Sequence, residues 1–407
     1  MPETFHYFVG HPPVPLRPGD TQWDTPIPYH RAATPGGIDK DDTCVTYGHY
    51  FTAVQAFLAA DDLALPKYAI GRCRAGAACR QPQSIDIHLV KHGALYHPSR
   101  VTLAITGGPP LPLAVNVAVG NAGRERLSDE VRHLTHLCSA FPERYVPCVF
   151  GAGEGATRRL PSLPMFAVQW LDDYHEYHRT ARDGSEAERR LVWDAERGPW
   201  CLSDRQTTDL FRRMVFILTY YFDPRTLAAI MEWHHAAGDF IVKADPDGAI
   251  DVRLITVRRY APMLQLPADA SPSVQTILDA LALFLLRTTL WMRIDRLEGV
   301  GELVWAEDRW VAPMWEGFVQ GIAAMAQVHR LPGVFEEGTL RYLAAHEPHD
   351  WERIGYQILD SYPAALPEAL IIKHHLVDHI ACLAAAVRSA SAFGALSQQR
   401  PVTDRVE

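Results

Sequence analysis

Trp233-His234-His235-Ala236-Ala237-Gly238-Asp239-Phe240-Ile241-Val242 lies just past the middle of a 407-residue chain, and its reading decides the fold. Ahead of it, Leu210, Met214, Ile217, Leu218 and Tyr221 recur at helical spacing and predict an amphipathic helix over 209–221. A short second helix is expected over 226–233, running into the quoted stretch. Behind it, 240–244 and 250–257 read as strands joined by Asp245-Pro246-Asp247-Gly248, a strong turn signal. The stretch is therefore a helix-to-strand junction. It packs into one turn two imidazoles and a carboxylate, groups that can ligate a metal or move a proton.

Working outward, 84–90 alternates, with Ile85, Ile87 and Leu89 on one face and Asp86 and His88 on the other. A second strand is expected over 100–105, after a hairpin-length loop, Lys91-His92-Gly93-Ala94-Leu95-Tyr96-His97-Pro98, and a third over 113–119. A helix follows over 128–138, with Ser128 as N-cap and Asp129 and Glu130 in the first turn, where the helix dipole favours acids. Strands at 145–151 and 165–170 complete the set. Only one helix interrupts these strands, whereas a parallel sheet needs a crossover between each pair. The expected sheet is therefore antiparallel.

Residues 2–42 are rich in Pro and Gly and predict an extended arm, docked through Trp23 and Tyr29, before a helix over 47–60. Residues 172–179 form a polar, aromatic connector, with Asp173, His175, Glu176 and His178. Helices are expected at 273–297, 311–329, 350–362 and 366–392, and the tail after Phe393 is polar. The resulting division is an arm with a helix (1–83), a sheet lobe (84–171), a helical lobe (172–393) and a tail (394–407).

Composition narrows the function classes. Hydrophobic residues make up 48% of the chain, enough for a sizeable core, and the net charge of −9 argues against a surface built for nucleic acid or anionic lipid. The seven Cys are scattered without Cys-x-x-Cys spacing, which fits a reduced, cytoplasmic setting better than a disulfide framework. The N-terminus has no basic segment followed by an apolar run, so no signal peptide is expected. The apolar segment 277–290 is interrupted by Asp279 and Arg287 and reads as too short and too charged to span a bilayer.

The order of elements, five antiparallel strands with one inserted helix, a connector, then helices with a polar junction and a hairpin, resembles the protein-kinase-like superfamily. The closer likeness is to its aminoglycoside phosphotransferase and choline kinase branch. The resemblance implies a two-lobed α+β fold and ATP- and Mg2+-dependent phosphoryl transfer to a small molecule, with no nucleic-acid or membrane partner. Carried over residue by residue, the loop with Lys91, His92 and Gly93 would cover the phosphates. Asn116 would stand where the phosphate-pairing Lys is expected, and Glu130 where that Lys finds its partner. Asp239 would fall at the metal-binding Asn of the catalytic loop, His234 at its catalytic Asp, and Thr256 at the second metal ligand. Arg258 would stabilise phosphate.

The residues themselves leave plainer readings open. Asp239 before a buried strand can hold Mg2+, or can bond nearby backbone amides as a turn Asp. His234 can act as a base at neutral pH, or can cap the preceding helix. As neighbours in sequence, His234 and His235 are expected to point to different sides of the chain, so that at most one reaches a reacting group. Arg258 and Arg259 can meet phosphate, or can form a surface pair or a salt bridge to an Asp of the turn. His374, His375, Asp378 and His379 on the last helix favour interhelix hydrogen bonds over metal, since no Glu lies between the two His. Two alternatives to transfer therefore stand: a binding or regulatory protein that keeps the cleft without turnover, as pseudokinases do, and a metalloenzyme built on His234, His235 and Asp239.

Overall fold

A strand absent from the sequence reading reorganises the first sheet. Thr4–Val9 (β1) pairs in parallel with Pro82–Leu89, and Val14–Pro15 (β2) pairs antiparallel with β1 at the sheet edge. Pro15 is tolerated there because an edge strand can do without one backbone donor. The computed structural model describes residues 4–28, 45–74, 81–93, 95–156, 161–180, 189–233, 238–244, 248–267, 270–299, 301–363 and 365–398, with side-chain surroundings to 389. The chain divides into two compact units, Met1–Ala140 with Val146–Asp172, and Phe141–Tyr145 with Asp173–Glu407.

In the first unit, α1 (Tyr47–Cys73) follows β2, then β3 (Pro82–Leu89), β4 (His97–Ile105), β5 (Leu111–Val117), α2 (Asn121–Ala140), β6 (Val149–Gly155) and β7 (Leu163–Gln169). The strand order is β2-β1-β3-β4-β5-β7-β6. The expected five-stranded antiparallel lobe with one helix is thus corrected to a seven-stranded mixed sheet. The fold class drawn from the kinase resemblance falls with it. The proline-rich composition of the arm hid the aromatic alternation of Phe5 and Tyr7 that makes β1 a strand. Along β4 and β5 every second residue is buried, and Ile85, Val101, Leu103 and Val115 form the core with Tyr50, Phe51 and Val54 of α1.

Two boundaries in this unit also move. Helix α1 continues past the expected end at 60 through a kink in which Asp61, Asp62 and Leu63 take positive φ. Helix α2 starts at Asn121 rather than at Ser128. Gly123 inside it admits a close approach, since an added Cβ would lie 2.1 Å from the carbonyl oxygen of Leu95.

The second unit contains β8 (Tyr177–Thr180), β9 (Arg189–Val192), β10 (Trp200–Cys201), α3 (Asp204–Tyr220), β11 (Ala228–Glu232), β12 (Phe240–Ala244), β13 (Ile250–Leu254) and β14 (Arg259–Pro262). It continues with α4 (Val274–Met292), β15 (Ile294–Arg296), β16 (Leu303–Trp305), α5 (Val311–His329), α6 (Val334–Ala344), α7 (Pro348–Asp360) and α8 (Pro367–Gln398). Ser203 caps α3 in a reciprocal capping box with Gln206. Helix α3 packs chiefly on α5, where Gly317 and Gly321 let the backbones close: an added Cβ on Gly317 would lie 2.0 Å from the carbonyl oxygen of Arg212.

Two expected helical segments are strands. The segment expected as a helix at 226–233 is β11, antiparallel to β14. Asp223 closes a turn by accepting from the backbone N–H of Arg225, Leu227 takes φ +59°, and the chain leaves extended. A five-residue apolar run fits either period, and pairing with β14 decides it. Helix α4 stops at Met292 rather than running to 297, and Ile294–Arg296 instead pairs with Leu303–Trp305. The connector, too, holds strand β8, which joins β9 and β10 in a three-stranded sheet. By length and composition, α4 and Pro367–Ser389 of α8 are apolar enough to cross a membrane; half of the α4 window is buried inside the protein, as a core helix requires.

Candidate functional site

The geometry is built around Gly238 and Asp239, just ahead of β12. Gly238 takes φ +74°, and an added Cβ would meet the carboxylate carbon of Glu176 at 2.8 Å. Only a residue without Cβ takes this backbone at little cost. Asp239 is buried at 2% exposure. Its backbone carbonyl accepts from the N–H of Ile255 at 2.8 Å, which ties the start of β12 to the end of β13. After β13 the chain turns back to pair β14 with β11, and this return delivers Arg258 to Asp239. Arg258 donates from Nη1 to Oδ2 at 2.6 Å and from Nη2 to Oδ1 at 2.5 Å. This is the fork-to-fork geometry in which an arginine holds a carboxylate or a phosphate most firmly. The Arg258 side chain keeps 21% of its surface exposed, against 3% for Asp239.

The connector forms one wall. His175 and Val242 exchange both backbone hydrogen bonds at 2.9 Å, so the connector lies beside β12 as a third strand would. Tyr174 donates to Asp251 and accepts from Nε of Arg253, while Lys243 donates to Asp173. His175 lies 3.6 Å from Asp194. Burial pushes the Asp194 carboxyl up, but the N–H groups of Arg197 and Glu196, with the charges of His175 and Arg197, bring it below the usual carboxylate range.

Deeper in the unit, Tyr177 donates to Sδ of Met214 at 2.8 Å. Burial, then the negative charges of Asp295 and Asp239, push its phenol well above its ordinary value, and Arg190 partly offsets them. Arg190 and Asp295 form a second ion pair, at 3.6 Å with both side chains sealed from solvent. Arg293 bonds Asp308 and lies 3.3 Å from Nδ1 of His379. Nε2 of His379 reaches Thr289 of α4 at 3.0 Å, an interhelix bond. Burial and the Arg293 charge hold His379 far below its ordinary value, in the neutral form.

Of the residues expected to act, the structure brings Asp239 and Arg258 together. Thr256 is half-buried two residues before Arg258. His234 and His235 lie outside the described residues. The remaining five belong to the first unit. Lys91 and His92 follow β3, and His92 shares a hydrogen bond with the buried His97, Nδ1 to Nδ1 at 3.0 Å. Burial lowers the His92 pKa. The N–H of Gly93 closes the loop on the carbonyl of Tyr96 at 3.1 Å. Asn116 is half-buried on β5, opposite Pro98 and Phe166, and Glu130 is buried at 1% exposure on α2. A groove of about 440 Å³ in the same unit is lined by Phe5, Tyr7, Leu16 and Arg17 and shares no residue with these.

Among the described residues no three His, Cys, Asp or Glu side chains lie close enough to hold a metal ion. Asp239 offers a carboxylate suited to Mg2+, but with both oxygens bonded to Arg258 the residues present do not fit that ion in this arrangement. Sequence reasoning missed Arg190, Tyr177 and Asp194. No local signal marks them, because their partners come from distant parts of the chain. No family model matches this chain, and no curated protein matches it.

Proposed function

We propose that this protein binds a phosphate-bearing small molecule of the nucleotide kind and acts as a binding or regulatory protein without transferring the phosphate. One observation carries the reading: both oxygens of Asp239 already accept from Arg258. Phosphoryl transfer rests on carboxylate-held metal and positioned charge. A carboxylate clamped by a guanidinium is neutralised and turned away from that task. Arg258 keeps an exposed edge, and the fork that holds Asp239 matches phosphate oxygens equally well. An arriving phosphate would therefore exchange with Asp239 for the same guanidinium.

Transfer with ATP and Mg2+ remains the second reading. What favours it is the placement of Asp239 at the end of a positive-φ turn directly before a buried strand, a position from which a carboxylate can be presented. Melting with ATP, with and without Mg2+, and an ATP-consumption assay separate the two. Binding without transfer predicts a higher melting temperature with ATP, the same with or without Mg2+, and no consumption. Consumption that disappears in Asp239→Ala overturns it in favour of transfer. If no nucleotide shifts the melt and zinc or iron co-purifies, both readings fail and the metalloenzyme on His234, His235 and Asp239 takes their place.

A further inference from the structure

Cys138 and Cys148 stand apart from everything described above. Cys138 lies in the last turn of α2, and Cys148 immediately precedes β6. Their Sγ atoms are 2.6 Å apart, across ten residues of sequence, and both are half-buried. Two features of the fold hold them there. The backbone carbonyl of Cys148 accepts from the N–H of Gln169, which fixes the entry to β6, and the carbonyl of Val146 lies 3.9 Å from the Cys138 thiol. A disulfide joins sulfurs at about 2.05 Å, so thiols whose sulfurs already lie 2.6 Å apart need only a short further approach to bond.

The chain between them makes the position informative. Both cysteines belong to the first compact unit, whereas Phe141–Tyr145 between them belongs to the second. Within the second unit Phe141 and Tyr145 pack edge-on against Tyr220 and Tyr221, whose hydroxyls accept from the N–H groups of Glu143 and Tyr145. A bond between Cys138 and Cys148 would tie together the two points where the chain leaves the first unit and returns.

We propose that Cys138 and Cys148 are a peroxide-responsive thiol pair that closes to a disulfide and fixes both ends of the segment carrying Phe141–Tyr145. One thiolate attacks an oxygen of the peroxide. The O–O bond breaks, water or an alcohol leaves, and the sulfur becomes a sulfenic acid. The second thiolate attacks that sulfur, the S–S bond forms, and hydroxide departs as water with the released proton. Two thiols and one hydroperoxide thus give one disulfide, one water and one alcohol (a second water when the oxidant is hydrogen peroxide). Two electrons pass from sulfur to the peroxide, and an external dithiol restores the pair by exchange.

Peptide mapping tests this directly, because trypsin cuts after Arg144, between the two cysteines. The folded full-length protein is treated with stoichiometric hydrogen peroxide, alkylated and digested. The expected product is peptide 133–144 joined to peptide 145–158. Its mass lies about 2 Da below the sum of the two free peptides, and it separates on reduction with dithiothreitol. In Cys138→Ser the crosslink disappears and Cys148 is trapped as a sulfenic acid by dimedone. Recovery of both peptides separately alkylated after peroxide overturns the proposal. So does a crosslink from Cys148 to Cys73, whose thiol at the end of α1 is close enough to feel the charge of Cys148.

Discussion

Two arginine–aspartate pairs in the second unit use the same chemistry in opposite settings. Arg190 and Asp295 are sealed, at 0% and 1% side-chain exposure, and meet at 3.6 Å. Arg258 and Asp239 meet through two bonds at 2.5 and 2.6 Å, and Arg258 keeps an edge in solvent. The sealed pair cannot exchange partners without opening the core, so its role is to fix β9 against β15. The half-open pair leaves part of its guanidinium in solvent, the access that the proposed exchange with a phosphate requires. Burial, rather than residue type, separates a structural ion pair from one that can serve a ligand.

The comparison is broken most severely by removing one member of the sealed pair. Arg190→Met leaves the Asp295 charge buried without its guanidinium, and stability is expected to fall by about 3 to 5 kcal/mol. Urea unfolding measures it, and a loss below about 1 kcal/mol would mean that the pair is not isolated from water as described. Asp239→Asn in the half-open pair removes the charge but leaves Arg258 access to solvent. The expected loss is smaller, about 1 to 3 kcal/mol. Equal losses for the two variants would erase the distinction.

The turn that presents Asp239 sharpens the contrast further. Gly238→Ala forces a side chain onto φ +74° and against the end of Glu176. It is expected to cost about 1 to 2 kcal/mol. The smallest effect is expected from pH, through Arg293, buried like Arg190, and its neighbour His379. The folded-state pKa of His379 lies far below its ordinary 6.5, so the unfolded chain binds more protons than the folded one below that value. The stability associated with neutral His379 is present in full above pH 6.5 and is lost as pH falls from there toward the folded pKa. Urea unfolding from pH 7.5 to 5.5 should show this decline, and His379→Gln should flatten it. An unchanged slope in the variant would assign the decline to other histidines.

These pairs also show what the sequence could and could not reveal. Asp239 and Arg258 were each legible, one from its place before a buried strand and the other from its position after a hairpin. Their union was not, because it depends on β14 returning to β11, and β11 read as a helix. Arg190 and Asp295 were invisible as a pair, since nothing local links β9 to a strand that read as the end of a long helix. Strands such as Phe240–Ala244 and helices such as Val311–His329 were legible to the residue, having clean periods and flanking turns. Strand β1 was not, because the prolines after it dominate the composition and its partner β3 lies more than seventy residues away.

The most direct test of the account is ATP binding to Asp239→Asn, measured by calorimetry beside the parent protein and Arg258→Met, each checked for folding by circular dichroism. If Asp239 competes with phosphate for Arg258, the Asp239→Asn variant binds ATP at least as tightly as the parent, and Arg258→Met loses binding about tenfold or more. Loss of ATP binding in Asp239→Asn, with Arg258→Met unaffected, would contradict the account and return Asp239 to the role of a metal ligand.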